Sequence, residues 1–119
     1  MSPLADLGFL VTRSPHTSPG ARSFYLLARA AQEAGHTVRA FFYMDGVYQC
    51  LNGQEASGEE EGPARWLEEL LDKGALMVAS NRCMRSRGLD PAALLPGVRV
   101  GTMEDLALLT AQADRVVCL

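Results

Sequence analysis

LGFLVTRSPHTSPGARSFYLLARAAQEAGHTVRAFFY, residues 7–43, carries the pattern on which the fold turns. Leu7-Gly8-Phe9-Leu10-Val11-Thr12 is a short apolar run, read as a buried strand. Residues 13–20 hold the prolines, serines and glycine of a loop. Over residues 21–34 the apolar positions Phe24, Leu27, Ala28, Ala31 and Ala34 recur at helical spacing, and Gly35 stands where a helix commonly ends. Residues 38–43 give a second strand, rich in aromatic side chains. A buried strand, a helix and another buried strand in that order make a βαβ crossover, which places the two strands parallel.

The alternation continues to the end of the chain. Asp45-Gly46 reads as a turn and residues 47–51 as a short helix. Residues 52–62 are acidic and aperiodic, which predicts an exposed loop with Glu59, Glu60 and Glu61 as a solvated run. Pro63 suits a first helical position, and Trp66, Leu67, Leu70 and Leu71 form the buried stripe of a helix ending near Gly74. A third strand covers residues 75–79, followed by a helical segment around 82–87 that stops at Gly88. A brief fourth strand spans residues 98–101, Thr102 caps a helix over 103–112 with Asp105 at its third position, and residues 115–119 close the chain as a fifth strand. The expected architecture is α/β: a three-layer sandwich whose mainly parallel five-stranded sheet is covered on both faces.

At 119 residues the chain has the length of one compact domain, so a single domain over 1–119 is expected. Apolar residues at 48% against 21% charged give a globular balance rather than a disordered one. No run approaches the roughly 20 apolar residues of a membrane span, and the first residues lack both a basic region and a long apolar stretch. A cytoplasmic protein with no membrane partner is the reading. A net charge of −3, eleven cations against fourteen anions, argues against a nucleic-acid partner. Three cysteines, Cys50, Cys83 and Cys118, form no CxxC pair, so neither a disulfide framework nor a structural zinc site fits, and no metal or cofactor is expected.

In sheets of this kind chemistry collects at the carboxyl ends of the strands. That edge should gather Arg13 and His16, then Asp45, Tyr48 and Cys50, then Ser80, Asn81 and Cys83. Cys83 is the leading candidate. If Ser80 caps the helix after the third strand, Cys83 lies in its first turn, where free backbone N–H groups favour a thiolate and Arg82, Arg85 and Arg87 add positive charge. The alternative is that Cys83 packs as a small apolar residue with the arginines solvated outside. Cys50 reads as a second thiol at the edge or as core, Cys118 as inert core within an apolar strand, and His36 as a surface residue at a helix exit. His16 could serve as a base or bind an anion, or be an ordinary loop histidine, and Asp45 is a turn former that could orient a neighbour. Ser14, Thr17, Ser18 and Gly20 lie where α/β proteins cradle phosphate, without the glycine pattern of a P-loop.

The segment Ser80-Asn81-Arg82-Cys83-Met84-Arg85-Ser86-Arg87-Gly88-Leu89 resembles the sulfur-site segment of the DsrE/DsrF-like family, which includes TusD-like and YchN-like sulfur-relay proteins. Residues 21–38 with the Gly35-His36-Thr37 exit, the FFYMDGVY run at 41–48, similar to the FFYxxGVY of TusD-like members, and the ending Asp114-Arg115-Val116-Val117 agree with it. The resemblance implies a five-stranded parallel fold, a homo-oligomer of three or six chains, and a cysteine that carries persulfide sulfur between donor and acceptor proteins without a metal. In TusD-like members that cysteine stands at the strand end, a place that Ser80 fills here. Either Cys83 takes the sulfur role, one helical turn on, or the chain is a non-catalytic oligomeric subunit or small-anion-binding module.

Overall fold

A computed structural model describes residues 4–16, 19–54 and 62–119. In chain order it contains β1 (Asp6–Val11), α1 (Gly20–Glu33), β2 (Thr37–Phe42), a 3-10 helix (Met44–Cys50) and α2 (Pro63–Asp72). There follow β3 (Leu76–Ser80), α3 (Asn81–Ser86), a 3-10 turn (Pro91–Ala93), β4 (Val98–Gly101), α4 (Met103–Gln112) and β5 (Arg115–Cys118). All strand pairs are parallel and the order across the sheet is β4-β3-β2-β1-β5. The expected α/β sandwich is therefore the fold observed.

Alternation along each strand assigns its side chains to two faces. Phe9, Val11, Val38, Ala40, Phe42, Met77 and Ala79 enter one core with Phe24 and Ala28 of α1 and Leu67 and Leu70 of α2. Phe24 is its hub, meeting Phe9 and Phe42 edge-on at ring centroid distances of 5.3 and 5.7 Å. The helix α1 stops as the sequence implies: Gly35 takes φ +93°, and the His36 N–H reaches back to the Ala31 carbonyl. His36 itself is half-buried rather than a free surface residue, and its buried Nδ1 has no partner among the described residues.

The path of the chain explains the other face. From β1 to β4 every step moves in one direction across the sheet, whereas β4 to β5 steps back over three strands. With one handedness of crossover, reversing direction puts the connecting helix on the opposite side. There α4 packs against β1 and β2. Helices therefore lie on both faces, as expected, and on this one the single ten-residue α4 leaves part of the sheet open. A hollow of about 340 Å³ remains, lined by Arg39, Leu76, Val78, Arg99, Leu108 and Gln112 among others, with Leu76 and Leu108 more than half exposed.

The same geometry corrects the reading of Cys118 as core. Cys118 sits in register with Leu10, and Val116 with Gly8, on the α4 side of an edge strand. On that side Cys118 is exposed, while Val117 packs inward against the core. A second correction concerns Asp45 and Gly46, which belong to the 3-10 helix rather than to a separate turn before it. Glycine permits this: a Cβ at Gly46 would collide with the Val11 carbonyl. Of the loop expected over 52–62, Asn52 and Gly53 are exposed, and Glu59, Glu60 and Glu61 lie outside the described residues.

Candidate functional site

No loop separates β3 from α3. Ser80 is both the last residue of the strand and the N-cap of the helix, its Oγ accepting the Cys83 N–H at 3.3 Å. That cap sets Cys83 third in the helix and turns it inward, where it is 5% exposed beside fully buried Met84.

The end of β2 supplies what faces the sulfur. Tyr43 leaves the sheet with its N–H on the Val11 carbonyl, and Met44 then adopts φ 52°, a left-handed conformation that costs a non-glycine residue about 1–2 kcal/mol. From this position the Met44 N–H donates to the Cys83 Sγ at 3.2 Å. Arg87 joins the same two elements. Its Nε donates to Asp45 Oδ1 at 2.9 Å, while its Nη1 donates to the Cys83 carbonyl at 3.1 Å and to Ser86 Oγ at 3.0 Å. The three arginines thus divide: Arg87 bonds to the backbone of Cys83, and Arg82 and Arg85 stand exposed on α3.

The end of β1 is fastened to this corner by Gln49. Fully buried, it donates from Nε2 to the Arg13 carbonyl at 2.8 Å, and its Oε1 has no partner among the described residues. The three strand ends therefore meet as the topology rule requires, through Gln49, Gly46 and Met44. His16 stays apart, exposed in the loop after β1 with its backbone N–H on Ser14 Oγ. Tyr48 is half-buried, and its carbonyl accepts from Gln54 Nε2 at 2.7 Å. Cys50 is wholly buried; its carbonyl accepts the Leu95 N–H, and burial pushes its thiol well above the ordinary range. A thiol so placed stays protonated. Asn81 lines, with Ser80, Arg82 and residues 101–104, a cleft of about 430 Å³ beside the start of α3.

Two participants are invisible to motif reading. Met44 contributes a backbone N–H, which its residue type does not announce. Gln49 offers a signal only in hindsight, as an amide close to Val47 and Cys50, both fully buried. Among the described residues no three His, Cys, Asp or Glu side chains are grouped to hold a metal ion. What the corner can do chemically is present a thiol with one hydrogen-bond donor aimed at its sulfur, a contact that strengthens when the sulfur is anionic.

The family model described as DsrE/DsrF-like matches residues 5–119. Protein YchN of Escherichia coli K12 is 32% identical over 91 residues, covering 76% of this chain and 77% of YchN. A TusC homolog of Vibrio parahaemolyticus is 29% identical over 117 residues, 96% of this chain and 98% of the other. The crystal structure of the E. coli ychN protein superposes with a TM-score of 0.82 at 27% identity, covering all of both chains.

Proposed function

The chain belongs to the DsrE/DsrF-like family, and on that premise we propose that it is a cytoplasmic sulfur-relay protein that accepts and passes on persulfide sulfur through Cys83. In the accepting step the Cys83 thiolate attacks the outer sulfur of a donor persulfide. A new S–S bond forms on Cys83, the donor's S–S bond breaks, and the donor leaves as a thiolate. In the second step an acceptor thiolate attacks that same outer sulfur and Cys83 returns as thiolate. The outer sulfur keeps its proton and no net oxidation occurs, so neither step calls for a metal, cofactor or external oxidant.

The observation that carries this reading is the Met44 N–H on the Cys83 Sγ. A donor held on sulfur favours the anionic form, both as the attacking thiolate and as the leaving group of the second step. Ser80, at the strand end, caps the helix that holds Cys83 and does not itself carry sulfur. Arg82, exposed beside the cleft next to α3, is suited to meeting an acidic partner. A homo-oligomer of three or six chains is part of the proposal, supported by the partly covered α4 face with Leu76, Met103 and Leu108 exposed.

A second reading draws on one observation of its own. At 5% exposure Cys83 lies within the core cluster, as a packed residue of a non-catalytic oligomeric subunit or small-anion-binding module would. Mass measurement after exposure to a sulfane-sulfur donor separates the two: the relay gains sulfur on Cys83, and the subunit gains none.

A further inference from the structure

We propose that the Arg87–Asp45 ion pair is a positioning clamp, which holds the Met44 amide on the Cys83 sulfur and does not act on the thiolate through the charge of Arg87. The inference deepens the reading of Cys83 as the working thiol, and its test requires no sulfur transfer.

The guanidinium bonds on one side to Asp45 Oδ1 and on the other to the Cys83 carbonyl and Ser86 Oγ, so its contact with Cys83 is to the backbone. Asp45 follows directly on Met44, the residue held at φ 52°. That conformation is unfavourable for methionine, and the 3-10 helix it opens has no side-chain cap of its own. Gln49 and Tyr43 fasten this corner on its β1 side, and its α3 side needs a hold of its own. Arg87 supplies it from the far end of α3, bridging Asp45 and the Cys83 carbonyl, so that the Met44 amide and the Cys83 sulfur are linked through side chains that do not bond to the sulfur. An ion pair with a carboxylate more than half exposed would ordinarily contribute little. Here its effect is geometric.

The charged side chains on the two elements that meet here are Asp45 on one and Arg82, Arg85 and Arg87 on the other. Their charges make the clamp separable from plain electrostatics, because removing Asp45 has opposite consequences. By charge alone, Asp45→Ala deletes an anion, exposes the Arg87 cation and raises the thiolate fraction. By the clamp, it releases the Met44 corner, loses the N–H on sulfur and lowers that fraction.

The experiment follows the ultraviolet thiolate band at one fixed pH in a Cys118→Ser background, with the Cys83→Ser protein subtracted. Cys50 is silent there because burial keeps it protonated. Loss of one hydrogen bond to sulfur should lower the thiolate fraction about threefold to tenfold in Asp45→Ala. Asp45→Asn, which keeps an acceptor oxygen for Arg87, should lie above Asp45→Ala. A fraction in Asp45→Ala equal to or above that of the parent overturns the clamp. If Asp45→Ala does not fold, amide exchange at Met44 in Arg87→Gln serves instead: faster exchange by about tenfold supports the clamp, and unchanged exchange overturns it. Failure of sulfur uptake with the Asp45→Ala effect present would refute the relay and leave the clamp standing.

Discussion

The backbone N–H of Met44 and the thiol sulfur of Cys83 meet at 3.2 Å, although 39 positions separate them in the chain. Each stands just beyond a strand end, one after β2 and one after β3, and parallel pairing of those strands brings the two together. The contact uses a main-chain donor, so no substitution at Met44 short of proline removes it directly. Its integrity depends on the backbone around it.

Gly46 is where that backbone is most tightly seated, two residues after Met44 and against the Val11 carbonyl. Gly46→Ala should lower stability by about 1–3 kcal/mol, because the added methyl meets backbone that has no room to shift. Denaturant unfolding of the variant checks this. Stability equal to the parent would mean that the 3-10 helix is not packed on β1 as described.

Cys118 and Cys50 should differ sharply towards iodoacetamide in the native protein. Cys118, exposed on the edge strand, should label first. Cys50 should remain unmodified until unfolding, being both inaccessible and held as a thiol by burial. Peptide mapping after a short native pulse reads the order, and labelling of Cys50 as fast as Cys118 would contradict the packing of the core.

Asp105 gives a pH-dependent contribution with a definite sign. The hydrogen bond from Arg99 Nη2, at 2.6 Å, and then that from the Thr102 N–H, at 2.8 Å, hold its carboxyl below the usual range. The unfolded chain therefore binds this proton more readily, so stability rises with pH through the interval between the two values. The contribution is complete above the ordinary aspartate range and is lost as pH falls through the depressed native value. Asp105→Asn should cost about 1 kcal/mol near neutrality, the scale of a lost helix cap, with the gap closing in acid. Urea unfolding at two pH values measures it; a gap that widens in acid would contradict the assignment.

Much of this molecule is legible from residue pattern. β1, α1 and β2 follow from an apolar run, a helical stripe and a second apolar run, and α4 occupies residues 103–112 with Thr102 and Asp105 closing a capping box as their types imply. Periodicity reports which side of an element is apolar, but it does not report how much of a sheet the opposing helix covers. Cys118 therefore reads as core from its neighbours Val116, Val117 and Leu119, and its place on the edge strand β5 leaves it exposed. At the site, sequence spacing located Cys83, its Ser80 cap and Asp45 at one edge. It did not distinguish Arg87, which reaches across to Asp45, from Arg82 and Arg85 on the same short helix, because that depends on side-chain reach between elements. Nor does any pattern mark a main-chain N–H as the group on the sulfur.

Whether Cys83 carries transferable sulfur is decided by intact mass under non-reducing conditions. Wild-type protein and Cys83→Ser are incubated with a sulfane-sulfur donor, freed of excess reagent and weighed. The wild type should gain one or more sulfur atoms, and Cys83→Ser should gain none. A folded wild type that gains none, or a Cys83→Ser protein that gains as much, would contradict the relay.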